Sequence, residues 1–417
     1  MHQISSSPSR DPGPEKTELR LGFIPLTDCA PLVVALEKGF FHKHGLAVSL
    51  SREVSWANIR DKVAAGVLDG AQMLAPMPLA TTLGLGEIRK PTITALSLDL
   101  NGNAITVTPV LYQRMMQADP ECATDRSVLG RALARVIAED RAHGREPLQF
   151  AMVFPFSPHH YLLRYWLAAS GIDPDRDVRL QVIPPPYMVE SLHDGEIDSC
   201  CVGEPWNSQA VAAGVGHILL TDCELWNYKP EKVFGVNLDW AEAYPGTHRA
   251  ALMALLEAAE WLDRPGHRAE TAALLAREEY VHAPLEVLKQ SLFGFFRAYP
   301  GGDLVTQPDF HVFHRHAATF PWRSHALWFL TQMHRWGQID GMIRMREVVE
   351  RVYRPDLYRE AAAALSLACP GEDYKAEEPA AFCDGRGFDP EDPLGYLRGF
   401  TLGRERMEPS ASAEAGQ

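Results

Sequence analysis

Apolar residues alternate with polar or small ones at Leu19, Leu21 and Phe23, and the run stops at Pro25. A period of two places one face of an extended segment in a core, so this is a predicted strand. Pro31 can open a helix, since the first turn needs no N–H from it. Leu32, Val33, Leu36 and Phe40 give that helix an apolar face, and Gly45 follows its end. Leu46, Val48 and Leu50 alternate again, and Ser55 is placed to cap a helix over about 56–65. Short apolar runs at about 71–74 and 92–98 complete a β-α-β-α-β order. That order predicts a mostly parallel sheet with helices on its faces.

A second block repeats the grammar. Strands are predicted over 148–154, 178–183, 199–202 and 217–220, with helices over 159–170, 187–193 and 205–213 between them. After about residue 237 the period becomes helical, over 247–262, 268–277, 284–296, 326–336 and 342–352. The fold class is therefore α/β, a hinged two-lobe binding-protein architecture with a helical C-terminal section packed on the first lobe. The expected organisation is a disordered leader at 1–17, lobe 1 at 18–106 plus 235–355, lobe 2 at 107–234, and an extended arm or tail at 356–417. Ligands of such folds lie at strand carboxyl ends and helix N-termini facing the cleft. Closure of the lobes would follow capture.

Composition narrows the class. With 417 residues the chain exceeds one ordinary core and suits two or three lobes. A formal net charge of −14 argues against direct partnership with nucleic acid or an anionic membrane. Any anion site must be positive locally, against that field. The polar N-terminal stretch lacks the apolar core of a secretory signal, and no apolar run approaches the length of a membrane span, so the expected compartment is the cytoplasm. The seven cysteines include no C-x-x-C pair, and Cys200 and Cys201 sit in an apolar strand, as buried reduced thiols do. His311, His314 and His316 lie close together, but without a nearby cysteine or paired carboxylate they make a poor metal set. No metal, cofactor or catalytic motif is predicted.

Three separated segments carry the chemistry: His159–His160, Gly203-Glu204-Pro205-Trp206, and Lys229-Pro230-Glu231-Lys232. They supply an ammonium, an imidazole and backbone N–H groups, with no obvious catalytic base. Donors of that kind suit a small anion that can only accept hydrogen bonds.

The segments Leu21-Gly22-Phe23-Ile24-Pro25-Leu26-Thr27-Asp28, Leu68-Asp69-Gly70-Ala71-Gln72-Met73-Leu74, Asn101-Gly102-Asn103-Ala104-Ile105 and Phe320-Pro321-Trp322-Arg323-Ser324-His325-Ala326 extend the pattern. In this order, over roughly residues 17–354, the chain resembles the nitrate- and bicarbonate-binding proteins of ABC transporters. With no export signal it looks more like the cytoplasmic nitrate/nitrite sensor of the NasS type. That resemblance implies a ligand, nitrate or nitrite, and a partner, an RNA-binding antiterminator of the NasT type that is released when the ligand binds. The alternative is the solute-binding subunit of a nitrate transporter. An enzyme, similar to pyrimidine-precursor synthases of related fold, would have only Cys200 and Cys201 to work with.

The resemblance puts the ligand contacts at Trp56, Asn103, His159, Pro185, Gly203 and Lys232. Lys232 would bring the positive charge; otherwise it is a surface lysine. Its donor character favours nitrate or nitrite over bicarbonate, which carries an O–H and gains from an acceptor such as glutamate. His159 opens a helix and can donate from its ring, unless it merely caps or packs, or His160 takes its place. Trp56 offers an indole N–H or is simply core. Asn103 lies in an Asn-Gly-Asn turn signal. Gly203 lets its N–H approach closely, or needs positive φ. Pro185 would only shape a wall.

Overall fold

The computed structural model describes residues 13–339 and 343–403. Among these residues, thirteen strands form two large sheets and a hairpin. They are β1 (Glu18–Phe23), β2 (Ala47–Arg52), β3 (Gly70–Leu74), β4 (Thr92–Asn101), β5 (Asn103–Val107), β6 (Gln149–Met152), β7 (Arg179–Val182), β8 (Ser199–Gly203), β9 (His217–Thr221), β10 (Pro230–Asn237), β11 (Phe295–Arg297), β12 (Leu304–Thr306) and β13 (His311–Val312). Lobe 1 has the order β13-β4-β10-β3-β1-β2 and lobe 2 the order β7-β6-β8-β5-β9. β1 runs parallel to β2 and β3, and β6 parallel to β7 and β8. The crossing strands β10 and β5 are antiparallel to their neighbours.

The chain crosses between lobes at Gly102 and returns by the start of β10, so the crossings fall earlier than residues 106 and 234. Asn103 therefore stands in the lobe 2 sheet and Lys232 in the lobe 1 sheet, the reverse of the sequence-based assignment. Both strands are buried along their whole length, so neither shows the alternation that marks a half-buried strand. The crossing at Asn101-Gly102 is a backbone kink, with φ of 65° and 93°. A Cβ at Gly102 would lie 2.2 Å from Cε1 of His311, so only glycine fits there.

One core packs the lobe 1 sheet against the helices Ala30–Glu37 and Pro245–Leu262. A larger one runs from Trp56 and Leu74 through Phe150 and Leu163 of lobe 2 to Trp328 and Phe329 of the helix Arg323–Arg335. The helical section thus covers lobe 2 as well as lobe 1. Tyr161 of the lobe 2 helix Pro158–Ala169 donates to Oε1 of Gln338 at 2.7 Å. The helices Pro109–Ala118, Leu129–Ala142 and Pro355–Ala364 also form, in stretches where no element was predicted.

Both ends differ from expectation. Residues 1–12 of the leader lie outside the described residues, but residues 13–17 are tethered. The Glu15 carboxylate accepts from the N–H groups of Gly246 (3.0 Å) and Thr247 (2.8 Å), which open the helix Pro245–Leu262. Those N–H groups have no partner within the helix, and the helix dipole favours an anion there. The arm folds back. Phe382 stacks on Trp226 with centroids 5.1 Å apart, Cys383 N–H donates to the Leu225 carbonyl at 3.0 Å, and Trp328 Nε1 donates to Tyr396 Oη at 3.0 Å. Residues 404–417 lie outside the described residues.

Candidate functional site

Lys232 is the centre of a sealed polar cluster between the lobes. Its side chain is 0% exposed, and its ammonium lies 2.7 Å from Asp28 Oδ2 and 2.7 Å from Glu231 Oε1. Adjacent strand residues ordinarily point to opposite faces. The register of β10 against β4 shifts on both sides of Lys232. That irregularity re-aims the chain, so the consecutive Glu231 and Lys232 side chains meet. The Lys232 backbone N–H donates to Asp99 Oδ1 at 3.0 Å.

Lobe 2 supplies the other half. Asn103 Nδ2 donates to Glu231 Oε2 at 2.7 Å, and its backbone N–H donates to Asp222 Oδ2 at 3.0 Å. Lys229, fully buried, pairs with Asp222 at 2.9 Å and with Glu231. His159 Nδ1 lies 3.3 Å from Glu231 Oε1. Ser157 caps the His159 helix by accepting from His160 N–H at 3.0 Å, which sets where the ring emerges. His160 turns elsewhere, its Nδ1 2.6 Å from the Pro155 carbonyl. Of the two histidines, His159 faces the cluster.

Trp56 begins the helix Trp56–Ala64, which Ser55 caps by accepting from Asn58 N–H at 3.2 Å. The Lys232 ammonium stands 5.4 Å from the Trp56 ring centroid. Gly203 pairs with Asn103 across β8 and β5. Its φ is not positive. Its role is space: a Cβ there would lie 3.3 Å from Asn103 Oδ1 and 3.6 Å from Asp28 Oδ2. Pro185 is the exception. It is buried at the head of the turn Pro185–Tyr187 and makes no hydrogen bond or ion pair with the cluster among the described residues.

The donor-only expectation is overturned. Four carboxyl groups, Asp28, Asp99, Asp222 and Glu231, surround two lysines. Burial opposes the charge of Lys232, but Asp28, Glu231 and Asp99 outweigh it and hold its pKa above the ordinary lysine value. Burial likewise opposes ionisation of Glu231, yet Lys229 and Lys232 hold it well below the usual carboxylate range. Burial lifts Asp28 to about 6 and Asp99 to about 8, and lowers His159 to about 3, so its ring is neutral near pH 7. Among the described residues, Trp56 Nε1, Asn103 Oδ1 and both ring nitrogens of His159 are buried with no hydrogen-bond partner. Such groups are costly unless something completes them. Surface cavities, including one lined by Leu327, Ile343 and Leu394 and one lined by Arg126, Trp166 and Glu224, lie elsewhere.

A sequence profile of the NMT1-like family matches residues 12–276. The chain belongs to that family. It is 45% identical over 398 residues to a nitrate import ATP-binding protein, NrtC, of Synechocystis, covering 94% of this chain and 56% of that protein. It is 42% identical over 405 residues to a bicarbonate transport ATP-binding protein, CmpC, of Synechocystis, covering 95% of this chain and 58% of that protein. The chain thus spans little more than half the length of these relatives. The crystal structure of the periplasmic nitrate-binding protein NrtA of Synechocystis superposes with a TM-score of 0.85 at 33% identity, covering 94% of this chain and all of that one. The periplasmic-binding-protein-like fold is thereby established.

Sequence reasoning missed Asp28, Gln72, Asp99 and Asp222, and gave Lys229 and Glu231 no role of their own within the segment that carries Lys232. Asp28 and Gln72 lie inside segments that carry the resemblance, and charged residues amid apolar strands were the available signal. Gln72 bridges the first strands: its Oε1 accepts from Ile24 N–H at 2.8 Å and its Nε2 donates to Asp28.

Proposed function

We propose that this NMT1-like chain binds nitrate or nitrite between its lobes, on Lys232, Trp56, Asn103, His159 and Gly203. One observation carries the reading. Among the described residues, the Trp56 N–H and the His159 ring have no hydrogen-bond partner, and they flank a buried ammonium: the Trp56 ring lies 5.4 Å from it and His159 lies against Glu231, which pairs with it. A planar oxyanion completes such donors, and each charge-assisted hydrogen bond contributes about 1.5–3 kcal/mol. Similarity to proteins that move nitrate supports the ligand. Pro185 contributes packing only.

The bound state would be read by another protein. In the sensor reading, the chain works in the cytoplasm and releases a NasT-type antiterminator when nitrate or nitrite binds. Similarity to transport proteins favours a second reading, solute capture for a nitrate transporter.

Calorimetry on the purified chain tests the site. Nitrate should bind, Lys232→Ala should weaken binding tenfold or more, and Trp56→Phe, which keeps the ring and removes the N–H, should weaken it about tenfold. Unchanged affinity in both variants sinks the assignment. Affinity capture from lysate separates the outputs. An RNA-binding protein retained only without nitrate supports the sensor, whereas recovery of the chain outside the inner membrane supports transport.

A further inference from the structure

We propose that the site takes up its anion together with one proton, and that Asp28 is the group that receives it. The inference rests on the anion-binding reading above. Two ammonium groups, Lys229 and Lys232, face four carboxyl groups, so the fully ionised cluster carries a net negative charge in a place closed to water. A further monovalent anion deepens that imbalance, and a dry interior strongly disfavours uncompensated charge. The anion must also reach an ammonium whose donors are already turned to Asp28 and Glu231.

Anchoring decides which carboxylate yields. Glu231 is held from both lobes by Lys229, Lys232 and Asn103, with His159 beside it. Asp28 is held by Lys232 and by Gln72 Nε2, both from lobe 1. Its Oδ2 lies 3.6 Å from where a Cβ of Gly203 would stand, so it faces the lobe 2 strand that meets it across the seam.

A proton on Oδ2 releases the ammonium and makes the carboxyl an O–H donor to the anion, while Oδ1 keeps the Gln72 bond. No covalent bond of the anion changes; the proton comes from solvent.

The charged and titratable groups around Asp28 agree. Lys232 pulls it toward the charged form, Asp99 and Glu231 push it the other way, and burial places it near 6. Buried His311, from β13, and Cys29, beside it in the chain, stay uncharged, while Arg52 lies near enough to act on Cys29. From lobe 2, Glu204 is raised to about 7 and Asp222 is tied to Lys229. Two rivals are set aside: burial raises Asp99 to about 8, so it already holds a proton near pH 7, and burial with two neighbouring ammonium groups keeps His159 neutral.

The ligand chemistry then discriminates. Nitrate has no proton and must recruit one. Bicarbonate carries the same charge but brings an O–H that can donate to ionised Asp28, so it should need less uptake.

Calorimetry of nitrate and of bicarbonate, in buffers of different ionisation enthalpy from pH 6.5 to 8.5, reads the proton directly. Nitrate should take up close to one proton per anion at the upper end, with its Kd rising about tenfold per pH unit there. Bicarbonate should take up distinctly less. Asp28→Asn, a mimic of the protonated acid, should abolish nitrate-linked uptake and flatten the pH dependence. If that variant does not fold, infrared difference spectra of the unaltered chain should show a protonated carboxyl band appearing with nitrate. Nitrate binding without uptake overturns the proposal while leaving the site reading intact. Uptake that survives in folded Asp28→Asn overturns the role of Asp28, and failure of nitrate, nitrite and bicarbonate all to bind at pH 6.5 overturns both.

Discussion

At the scale of the residue, burial converts ordinary side chains into site groups. Lys232 in solution is a flexible cation; here it is clamped by two carboxylates and stands over an indole. Removing one member of a buried ion pair strands the others, at a cost of about 3–5 kcal/mol. Lys232→Met, similar in volume, should therefore lower unfolding stability by that order in urea titrations, and a change within 1 kcal/mol would contradict the clamp. Gly102→Ala meets both a positive φ and the His311 ring. It should cost more than about 2 kcal/mol and distort the crossing that carries Asn103, lowering the melting temperature and anion affinity together.

At the scale of the element, helix starts and strand irregularities aim the groups. Ser157 holds the first turn of the His159 helix, accepting from His160 N–H and donating to the Phe154 carbonyl at 2.6 Å. Ser157→Ala should cost about 1 kcal/mol in stability and weaken anion binding through His159, with Ser157→Thr restoring most of both. The arm is the other aiming device. Asn227 N–H donates to the Ala381 carbonyl at 2.9 Å and Phe382 lies on Trp226, so the arm grips the segment between Asp222 and Lys229. Truncation after residue 373 should speed amide exchange at 222–229 more than in β1 or β3; uniform acceleration would show that the arm acts only on global stability.

At the scale of the whole molecule, the lobes are joined by more than the crossings. Thr27 N–H donates to the Glu204 carbonyl at 2.8 Å and Trp206 Nε1 to the Pro25 carbonyl at 3.2 Å, so the closed arrangement seals the cluster. Sealing has a pH signature. Burial raises Asp99 to about 8 and Glu204 to about 7, above their unfolded values. The native state then holds more protons than the unfolded chain between about pH 4 and 8. That contribution to stability is full below pH 4 and is lost as pH rises through 8. Buried His159, His160, His248, His311 and His325 are pushed down to about 3 or 4 and are neutral in both states above pH 7.5, so they do not contribute there. Melting temperature should fall from pH 7 to 9, and Asp99→Asn should flatten that slope.

The two-block α/β order, the helical closing section and several residues of the cluster were legible in the chain because alternation, helical period and turn chemistry are local. The helix starts at Ser55 and beside His159 could be read directly, and they carry Trp56 and His159. The lobe crossings could not, because β5 and β10 are buried on both faces and show no alternation. Nor could the carboxylates. Asp28, Asp99, Asp222 and Glu231 are far apart along the chain, and only strand pairing and lobe contact bring them to two lysines. Local pattern along the chain was enough for most of the elements and for Lys232, His159 and Trp56 upon them. The tertiary structure decided which acids meet those cations in the dry interior, and so which of them hold a proton.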